Sequence, residues 1–516
     1  MNSDKAYTKV CFYSGVIMSD FTDLNYSQSF QSLPNLFYTH VKPQGITNPR
    51  LVAASESCAE LIGITTDSLS SEDGLKIISG HALLSNWNPV AMKYTGHQFG
   101  HYNPDLGDGR GLLLSQVKTQ DDRTLDLHLK GAGMTPYSRQ GDGRAVLRSS
   151  IREFLCSEAL HGLGVPTSRA LCVIDSDSPV YRETQETASM IIRVSESHIR
   201  FGHFEFCSFS EQHEQLKVLC DFVIDQHYPD LIDDENKYAK FYEKTVNKTA
   251  KLIAYWQSVG FCHGVMNTDN MSIIGDTFDF GPFAFLDDYD PRFICNHSDH
   301  QGRYGFNQQP NVANWNLAVL AQALLPLSDK DTLVTHLDSF SARFANYYYD
   351  MMSNKLGLSV TPPKKEDTKP SEDSEHKTII DQTLSMLAKC RLDFTYFFRN
   401  LSSISNPSVH DNLRNMALDI SAFDQWFTDY ANHLEAHDLD IQSESRIEKM
   451  NAVNPKYILR NYLAQNAISA AQNGDYSVTQ TLHEALKNPF DEQPEFEHLA
   501  DLPPDWGKKL EISCSS

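Results

Sequence analysis

Residues 263–281 read HGVMNTDNMSIIGDTFDFG, and this stretch decides the expected fold and chemistry. A histidine opens the stretch, Asn270 follows seven residues later, and an Asp-Phe-Gly motif ends it at residues 279–281. The side chains of Asn270 and Asp279 offer the hard oxygen ligands that Mg²⁺ or Mn²⁺ prefers beside phosphate oxygens. The stretch therefore predicts a site that binds a metal ion together with a phosphate group.

The same layout occurs in kinase-type phosphotransferases, in which the Asp-Phe-Gly aspartate holds the metal that bridges the ATP phosphates. In a protein kinase, the residue two after the loop histidine is an aspartate that accepts the proton of the substrate hydroxyl. Here that position is Val265, which cannot accept a proton. The nearest carboxylate on the loop is Asp269, so we expect it to be the base. A loop cap is the alternative role for Asp269.

Upstream residues match the other parts of a nucleotide site. Residues 124–133 (TLDLHLKGAG) alternate apolar and polar side chains, which predicts a strand that ends near Lys130. Glu153 lies 23 residues later in a helical pattern, and in kinases a helix glutamate steadies the strand lysine that binds ATP phosphates. Taken alone, Lys130 or Glu153 is better explained as an ordinary charged residue on the solvent-exposed surface. Their order before the metal motif favours an ion pair at the site.

Two glycine-rich turns are candidate phosphate-binding loops. Gly107, Gly109 and Arg110 lie in GDGRG before an apolar run, whereas Asp142 and Gly143 lie in GDGR before a helical pattern. Glycines let main-chain amides approach phosphate oxygens, and helix N-termini favour anions. For the first loop, the alternative is an ordinary glycine-rich turn that binds no phosphate.

Arginines and cysteines complete the set of candidate residues. Arg193 and Arg200 lie in IIRVSESHIR, where their guanidinium groups would match phosphate oxygens or form structural ion pairs. The run Cys295-x-His297-x-x-His300 carries metal-binding side chains. Because no second pair of ligands follows nearby, we do not expect a zinc site there.

Composition limits the class of protein. The 516 residues are 41% apolar and 22% charged, which is ordinary for a globular enzyme of two or three lobes. A net charge of −23 argues against a nucleic-acid-binding surface. No apolar run reaches the roughly 18 residues that span a bilayer, and the N-terminus lacks a signal or transit pattern. The ten cysteines form no CxxC pair, which indicates reduced thiols. We therefore expect a cytoplasmic monomer that binds neither nucleic acid nor membrane.

The predicted fold class is α+β, with a kinase-like arrangement of two lobes: an N-lobe with an antiparallel sheet and a helical C-lobe, followed by further helices. Apolar residues at helical spacing also predict a helix over residues 51–63. The expected segments are a disordered extension (1–22), a nucleotide-binding region (23–203), a helical region with the catalytic and metal-binding loops (204–358), a disordered insertion (359–378), a helical C-terminal region (379–488) and a tail that contains Cys514 (489–516).

Long motifs at residues 96–111, 127–155, 263–291 and 454–468 resemble the selenoprotein O family, also called the YdiU or UPF0061 family, of kinase-fold pseudokinases. The resemblance covers most of the chain from about residue 30. It implies that ATP binds in a flipped orientation, that AMP is transferred to Ser, Thr or Tyr hydroxyls of protein substrates, and that pyrophosphate leaves. Mg²⁺ or Mn²⁺ would assist this transfer.

The resemblance also assigns roles by position. It implies that Glu153 supports Lys130, that Asp269 accepts the proton, and that Asn270 and Asp279 bind the metal. The residues that it assigns to the nucleotide are Gly107, Gly109, Arg110, Lys130, Asp142, Gly143, Arg193, Arg200 and Asp279.

Three alternatives stay open at this point: a kinase that transfers the γ-phosphoryl group with Asp269 as base, a uridylyltransferase that uses UTP, and an inactive nucleotide-binding scaffold. Cys514 matches the position that carries selenocysteine in some members of the family. We hypothesise that Cys514 forms a disulfide with Cys295, which lies in the segment after the Asp-Phe-Gly motif. Such a bond would tether the tail over the active site and restrain that segment.

Overall fold

A computed structural model of the chain describes residues 20–358 and 376–512. Strands dominate the first part and α-helices the remainder, so the architecture is mixed α+β, as expected. Most of the proposed extension and insertion lies outside the described residues, and so does Cys514. The expected disorder is wrong at two edges, because Phe21 is buried against Trp87 and a helix begins at Lys377.

The β-structure is concentrated before residue 200. The strands are β1 (Tyr26–Ser27), β2 (Tyr38–His40), β3 (Arg50–Ala54), β4 (Val90–Met92), β5 (Gly96–Gln98), β6 (His101–Asn103), β7 (Gly111–Lys118), β8 (Thr124–Lys130), β9 (Ala145–Val146), β10 (Arg169–Asp175), β11 (Pro179–Tyr181), β12 (Gln185–Ser195), β13 (Phe261–Cys262) and β14 (Ala284–Phe285).

The α-helices lie mostly after the sheet. They are α1 (Glu56–Ile62), α2 (Thr66–Ser70), α3 (Glu72–Ile78), α4 (Leu147–Gly162), α5 (Phe201–Phe209), α6 (His213–His227), α7 (Lys237–Ser258), α8 (Gln309–Leu324), α9 (Lys330–Asp338), α10 (Phe340–Lys355), α11 (Lys377–Cys390), α12 (Phe394–Leu401), α13 (Pro407–Met416), α14 (Ile420–Ala436), α15 (Glu444–Asn451), α16 (Asn461–Gln472) and α17 (Ser477–Lys487).

Within the described residues, one antiparallel sheet contains ten strands, with the main order β2-β4-β7-β8-β12-β10-β3. β1 pairs with β7, whereas β9 and β11 pair with β12. The long neighbours β7, β8 and β12 form its centre, and Lys130 at the end of β8 lies opposite Ile191 in β12 and Gly111 in β7. The sheet therefore positions Lys130 beside the glycine-rich loop that precedes β7.

The alternation in β8 separates two faces of the sheet, as its sequence predicts. Leu125, Leu127 and Leu129 join the apolar cluster that includes buried residues of α1–α3. The other face of β8 carries Asp126, His128 and Lys130, all buried. Such a buried polar face requires partners, and they come from α4, from β7 and the loop before it, and from the segment after β12. This face positions the candidate site.

The expected helix over residues 51–63 is only partly correct. Its first residues form strand β3, which pairs with β10 through Ala54 and Cys172, and the helix α1 follows. The Ser55 side chain accepts a hydrogen bond from the Cys58 main-chain N–H at 3.3 Å and caps α1. Gly63 ends the helix with a φ of +83°, a left-handed conformation that favours glycine.

The C-terminal helices return to the first part of the chain. Helices α16 and α17 pack against α4. Gln480 Nε2 donates a hydrogen bond to the Val52 carbonyl in β3 at 2.9 Å, and Tyr476 Oη donates to Asp175 Oδ2 in β10 at 2.7 Å. In the described part of the chain, every helix is too short or too polar to cross a membrane.

Candidate active site

The loop that opens at His263 is fixed by buried contacts. The His263 ring stacks on Trp256, with ring centroids 5.2 Å apart, and its Nε2 donates to the Phe278 carbonyl at 3.0 Å. The His263 main-chain N–H donates to Gln309 Oε1 in α8 at 2.9 Å. Burial lowers the His263 pKa, so the ring is neutral at physiological pH. These contacts join the loop to the residue directly before Asp279.

Asp279 lies in a left-handed conformation, with a φ of +61°, and faces two arginines. Arg193 Nη1 donates to Asp279 Oδ1 at 2.9 Å, and Arg200 Nη1 donates to Asp279 Oδ2. Burial by itself would raise the Asp279 pKa, but Arg200 and Arg193 outweigh it and hold this pKa well below its usual range. Asp279 is therefore a carboxylate at any physiological pH.

Glu153 is the second anionic centre of the site and lies on α4 with 1% of its side chain exposed. It accepts hydrogen bonds from Lys130 Nζ and from Arg193 Nε. Burial opposes its ionisation, but Arg193 and Lys130 lower the Glu153 pKa to about 2. Arg193 thus bridges Glu153 and Asp279, and the structure brings together Lys130, Glu153, Arg193, Arg200 and Asp279 as one connected set.

Asp269 lies in the short 3₁₀ helix Thr268–Asn270 and is 7% exposed. Its Oδ2 accepts a hydrogen bond from Gln98 Nε2 at 3.2 Å. Its Oδ1 is buried and has no hydrogen-bond partner among the described residues. Burial raises the Asp269 pKa to about 7, although Arg200 and Gln98 oppose the shift. A carboxylate with one unpaired oxygen and this pKa can accept a proton near neutral pH.

The hairpin of β5 and β6 covers Asp269, a role that the sequence analysis missed. The His97 main-chain N–H donates to Thr268 Oγ1 at 2.7 Å, and Asn103 Nδ2 donates to Gln98 Oε1 at 3.2 Å. A Cβ at Gly96 would lie 2.9 Å from Asp269 Oδ1, so only glycine permits this approach. The motif at residues 96–111 was visible in the sequence, but only the fold shows that Gln98 contacts Asp269.

The first glycine-rich loop lies beside Lys130. The Arg110 carbonyl accepts hydrogen bonds from the main-chain N–H groups of Gly131 at 2.7 Å and Ala132 at 3.1 Å. Gly107 has a φ of +145°, and a Cβ there would lie 2.6 Å from the Tyr137 ring. A Cβ at Gly109 would lie 2.8 Å from the Tyr137 carbonyl. Close packing thus requires both glycines, and the Arg110 side chain is exposed.

Within the described residues, the second glycine-rich loop makes no hydrogen bond or ion pair with Lys130, Glu153, Arg193, Arg200 or Asp279. Asp142 pairs with Arg182, with Nη1 of Arg182 at 2.8 Å from Oδ2 of Asp142, and it also accepts from the Arg144 main-chain N–H at 2.9 Å. The Gly143 carbonyl accepts from the Gly133 main-chain N–H at 3.1 Å. Asp142 and Gly143 therefore shape the loop, and the described contacts give them no link to Glu153 or Asp279.

The predicted metal ligands fit a hard divalent cation. Asp279 is ionised, as described above, and Asn270 donates a hydrogen bond from Nδ2 to the Val265 carbonyl at 3.1 Å. Because the amide nitrogen is engaged in this way, the Asn270 Oδ1 is the end of the side chain that remains for a cation. A carboxylate oxygen and an amide oxygen are the donors that Mg²⁺ and Mn²⁺ accept.

Cys295 lies close to the catalytic loop but is not exposed. Its Sγ is 3.5 Å from the Sγ of Cys262, and both cysteines are buried. The tail approaches this segment, because the His297 main-chain N–H donates to the Ile512 carbonyl at 2.8 Å. The hypothesised bond between Cys295 and Cys514 falls outside the described residues at its second cysteine and stays a prediction.

The arrangement concentrates positive charge around a small anionic core. Lys130, Arg193 and Arg200 are buried, and their charges exceed those of Glu153 and Asp279 by one. An excess of buried cations beside a glycine-rich loop attracts an anion such as a polyphosphate. The unpaired Asp269 oxygen adds a proton acceptor at the same place. The site is thus equipped for phosphate binding and for deprotonation of a hydroxyl group.

Comparisons with known proteins agree with this chemistry. A family model described as protein adenylyltransferase SelO matches residues 20–487. Relatives from Aliivibrio salmonicida (strain LFI1238), Pseudomonas fluorescens (strain SBW25) and Vibrio cholerae serotype O1 are each named protein nucleotidyltransferase YdiU, and they are 50%, 49% and 49% identical to this chain. Each match covers 97% of this chain and 100% of the relative. The chain belongs to the SelO family of protein adenylyltransferases.

Proposed function

We propose that this chain is a protein adenylyltransferase that moves AMP from ATP to the hydroxyl groups of Ser, Thr or Tyr side chains in other proteins and releases pyrophosphate. The observation that carries the proposal is the Asp269 carboxyl group, which is buried, has one unpaired oxygen among the described residues and has a pKa near 7. Family membership supports the same reaction. The site would operate within a kinase-like arrangement of two lobes.

Asp269 would act on the acceptor hydroxyl. Its unpaired Oδ1 takes the hydroxyl proton while the hydroxyl oxygen forms a bond to the α-phosphorus. The bond between the α-phosphorus and the α,β-bridging oxygen breaks, and its electron pair leaves with pyrophosphate. Gln98 and the Arg200 guanidinium hold Asp269 during this step, through the Asp269 side chain and main-chain carbonyl respectively.

The buried cations would bind the leaving group. Lys130, Arg193 and Arg200 surround Glu153 and Asp279, and cations that face developing negative charge lower the barrier for its release. They would take the β- and γ-phosphates, with Gly107, Gly109 and Arg110 at the mouth of the site. The α-phosphate would then face Asp269, which is the flipped orientation of ATP. Asp142 and Gly143 would contact the nucleotide through the second loop.

Asn270 and Asp279 would hold Mg²⁺ or Mn²⁺. The bound cation would neutralise phosphate charge and orient the oxygens of the leaving group. In the structure, Arg193 and Arg200 occupy both carboxylate oxygens of Asp279, so we expect these arginines to shift toward the phosphates when a metal binds. Treatment with EDTA should abolish the transfer, and Mg²⁺ or Mn²⁺ added in excess should restore it.

Two other transfers use the same groups. A kinase would direct the γ-phosphorus toward Asp269, and a uridylyltransferase would take UTP in place of ATP. The excess of cations near Lys130 favours a diphosphate there and hence adenylyl transfer over γ-phosphoryl transfer. A scaffold that only binds nucleotide does not require a proton acceptor such as Asp269.

ATP labelled separately at the α- and γ-phosphate tests the proposal. The labelled nucleotide is incubated with the chain, Mg²⁺ or Mn²⁺, and a cell extract that supplies acceptor proteins. We expect protein to gain label from the α position only, and the Asp279→Ala variant to transfer none. Label from the γ position would overturn the proposal in favour of a kinase. No label from either position, with nucleotide binding intact, would leave a scaffold.

A further inference from the structure

Three histidines meet where helices α11 and α14 pack together, far along the chain from the catalytic loop. His376 directly precedes α11, His433 lies in the last turn of α14, and His437 ends that helix. All three are partly buried. One ring nitrogen from each residue lies within 4.8 Å of the other two. None of these residues belongs to the proposed adenylylation site.

The ring contacts indicate that the three imidazoles converge. Nδ1 of His376 lies 2.9 Å from Nε2 of His433, so one of these nitrogens carries a proton that the other accepts. The ring centroids of His376 and His437 are 5.1 Å apart, and those of His433 and His437 are 4.2 Å apart. A cation bound by several imidazole nitrogens would replace the shared proton.

The His437 ring is held in place by a hydrogen bond to α14. Its Nδ1 donates a hydrogen bond to the His433 main-chain carbonyl at 2.8 Å. A ring nitrogen that donates to a carbonyl fixes the tautomer, and the lone pair then lies on Nε2. Metal-binding histidines commonly make such a second hydrogen bond. The spacing of His433 and His437, four residues apart, places both rings on one side of α14.

We propose that His376, His433 and His437 form a zinc site that joins the start of α11 to the end of α14. Zinc–nitrogen bonds of about 2.0–2.1 Å in a tetrahedral site hold the nitrogens about 3.4 Å apart, so modest rotations of the three rings close the site. Water would occupy the fourth position. Imidazole ligands select zinc and related transition metals, whereas the oxygen ligands of the active site select Mg²⁺ or Mn²⁺.

The site would have a structural role. The zinc ion would cross-link His376 to His433 and His437, and it would thereby fix the packing of α11 on α14. A ligand that binds only the folded state stabilises that state. Zinc should therefore raise the midpoint of thermal unfolding without supplying the metal that adenylylation needs.

The test is the zinc content of the purified full-length chain, produced without a histidine tag and dialysed first against EDTA and then against ZnCl₂. We expect one tightly bound zinc ion per chain, measured by mass spectrometry of the metal. His433→Ala combined with His437→Ala should remove it. His376→Ala, which changes no helical residue, should also remove it and serves if the double variant fails to fold.

Two controls separate this site from others. The exposed residues His297 and His300, with ring centroids 6.3 Å apart, offer a matched pair, and replacing both by alanine should leave the zinc in place. Asp279→Ala should also retain it, because that change affects only the active site. A chain that binds no zinc, or zinc that persists in both the His376→Ala variant and the double variant, would overturn the proposal.

Discussion

Asp269 and Gln98 show how single residues determine the proposed chemistry. Valine occupies the position at which protein kinases have their base, and the structure offers Asp269 four residues later with an unpaired, buried oxygen. Gln98 is the one side-chain donor that the structure assigns to the other Asp269 oxygen among the described residues. A hydrogen bond to the ionised form lowers the pKa of a carboxyl group, so we expect Gln98 to lower the pH at which Asp269 becomes a base.

The substitution Gln98→Ala tests this adjustment. In the wild-type protein, kcat/KM should rise with pH through about 7, because burial raises the Asp269 pKa to about 7 and only the ionised form accepts a proton. The Gln98 hydrogen bond lowers the Asp269 pKa and so partly offsets the effect of burial. Loss of this hydrogen bond should therefore move the acidic limb of the kcat/KM pH profile to higher pH. The expected shift is about one pH unit, which corresponds to the free energy of a hydrogen bond to a charged group.

The matched control is Asp105→Asn, an exposed residue after β6, which should leave the pH profile unchanged. The profile is measured as the initial rate of label transfer from α-labelled ATP at a fixed low concentration of ATP. An acidic limb at the same pH in wild type and Gln98→Ala would show that Gln98 does not influence the base.

The sequence allows residues such as Lys130, Glu153 and Asp279 to be predicted because their order along the chain carries the information. It does not reveal Gln98, since nothing local in residues 96–98 indicates a contact with a loop more than 160 residues later. It also gives no sign that Arg182 holds Asp142. Partners that the fold brings together from distant segments are visible only in three dimensions.

At the scale of elements, helix α4 organises the site through Glu153. The helical pattern around Glu153 predicted this helix, and its Ile151 and Leu155 belong to the apolar cluster. Glu153 lies among these apolar residues and is neutralised by Lys130 and Arg193. A buried carboxylate of this kind is tolerated only because cations and hydrogen bonds compensate for lost hydration.

The substitution Glu153→Gln should destabilise the protein and weaken ATP binding. Removing one partner of a buried ion pair costs about 3–5 kcal/mol, because the other partner stays buried without compensation. Lys130 would then keep no carboxylate partner among the described ion pairs. Urea denaturation measures the change in the free energy of unfolding, and calorimetry measures the affinity for ATP.

Glu186→Gln is the control, because Glu186 forms a bidentate pair with Arg148 at 2.7 Å and 3.1 Å and makes no ion pair with Lys130 or Arg193 among the described residues. That pair is more exposed, so its loss should cost about 1 kcal/mol or less and leave ATP binding unchanged. Equal losses of stability in the two variants, with ATP affinity unaffected in both, would contradict the role assigned to Glu153.

The helix expected over residues 51–63 shows why element boundaries are harder to predict. Leu51 and Ala54 fit a helical pattern, yet β10 offers an unpaired strand edge that Ala54 and its neighbours complete. Pairing with the sheet and capping by Ser55 override the local pattern. The helical preference survives only from Glu56 onward.

For the whole molecule, the C-terminal helices hold the segment after the Asp-Phe-Gly motif. Arg460, which directly precedes α16, binds Asp287 at 2.6 Å and Asp393 at 2.7 Å, and it is 2% exposed. The Phe394 main-chain N–H donates to the Asp287 carbonyl at 2.9 Å. The last helices thus stabilise the chain near the catalytic loop and are not an independent appendage.

The substitution Arg460→Ala should lower the free energy of unfolding by about 3–5 kcal/mol, because two carboxylates lose their buried cation. Arg343→Ala is the control, since Arg343 pairs with Glu243 at 2.7 Å in a more exposed position, and its loss should cost about 1 kcal/mol or less. Denaturation in urea measures both. A stable Arg460→Ala variant with the wild-type unfolding midpoint would show that these helices contribute little to this region.

The α+β class could be predicted from the whole chain, as could strand β8 and helix α4, because periodicity is a local signal. The return of α16 and α17 to α4 could not, since it depends on apolar surfaces that are far apart in sequence. The contact of Tyr476 with Asp175 spans 301 residues.

Mass spectrometry of an acceptor protein tests the central claim most directly. The acceptor is incubated with ATP, the metal ion and either the wild-type chain or the Asp269→Asn variant, and its peptides are then mapped. We predict that wild type adds the mass of an AMP group to Ser, Thr or Tyr side chains. Asp269→Asn should bind ATP but transfer AMP about 10²- to 10⁴-fold more slowly, because it lacks the proton acceptor. A phosphoryl mass on the acceptor, or equal AMP transfer by the variant, would contradict the account.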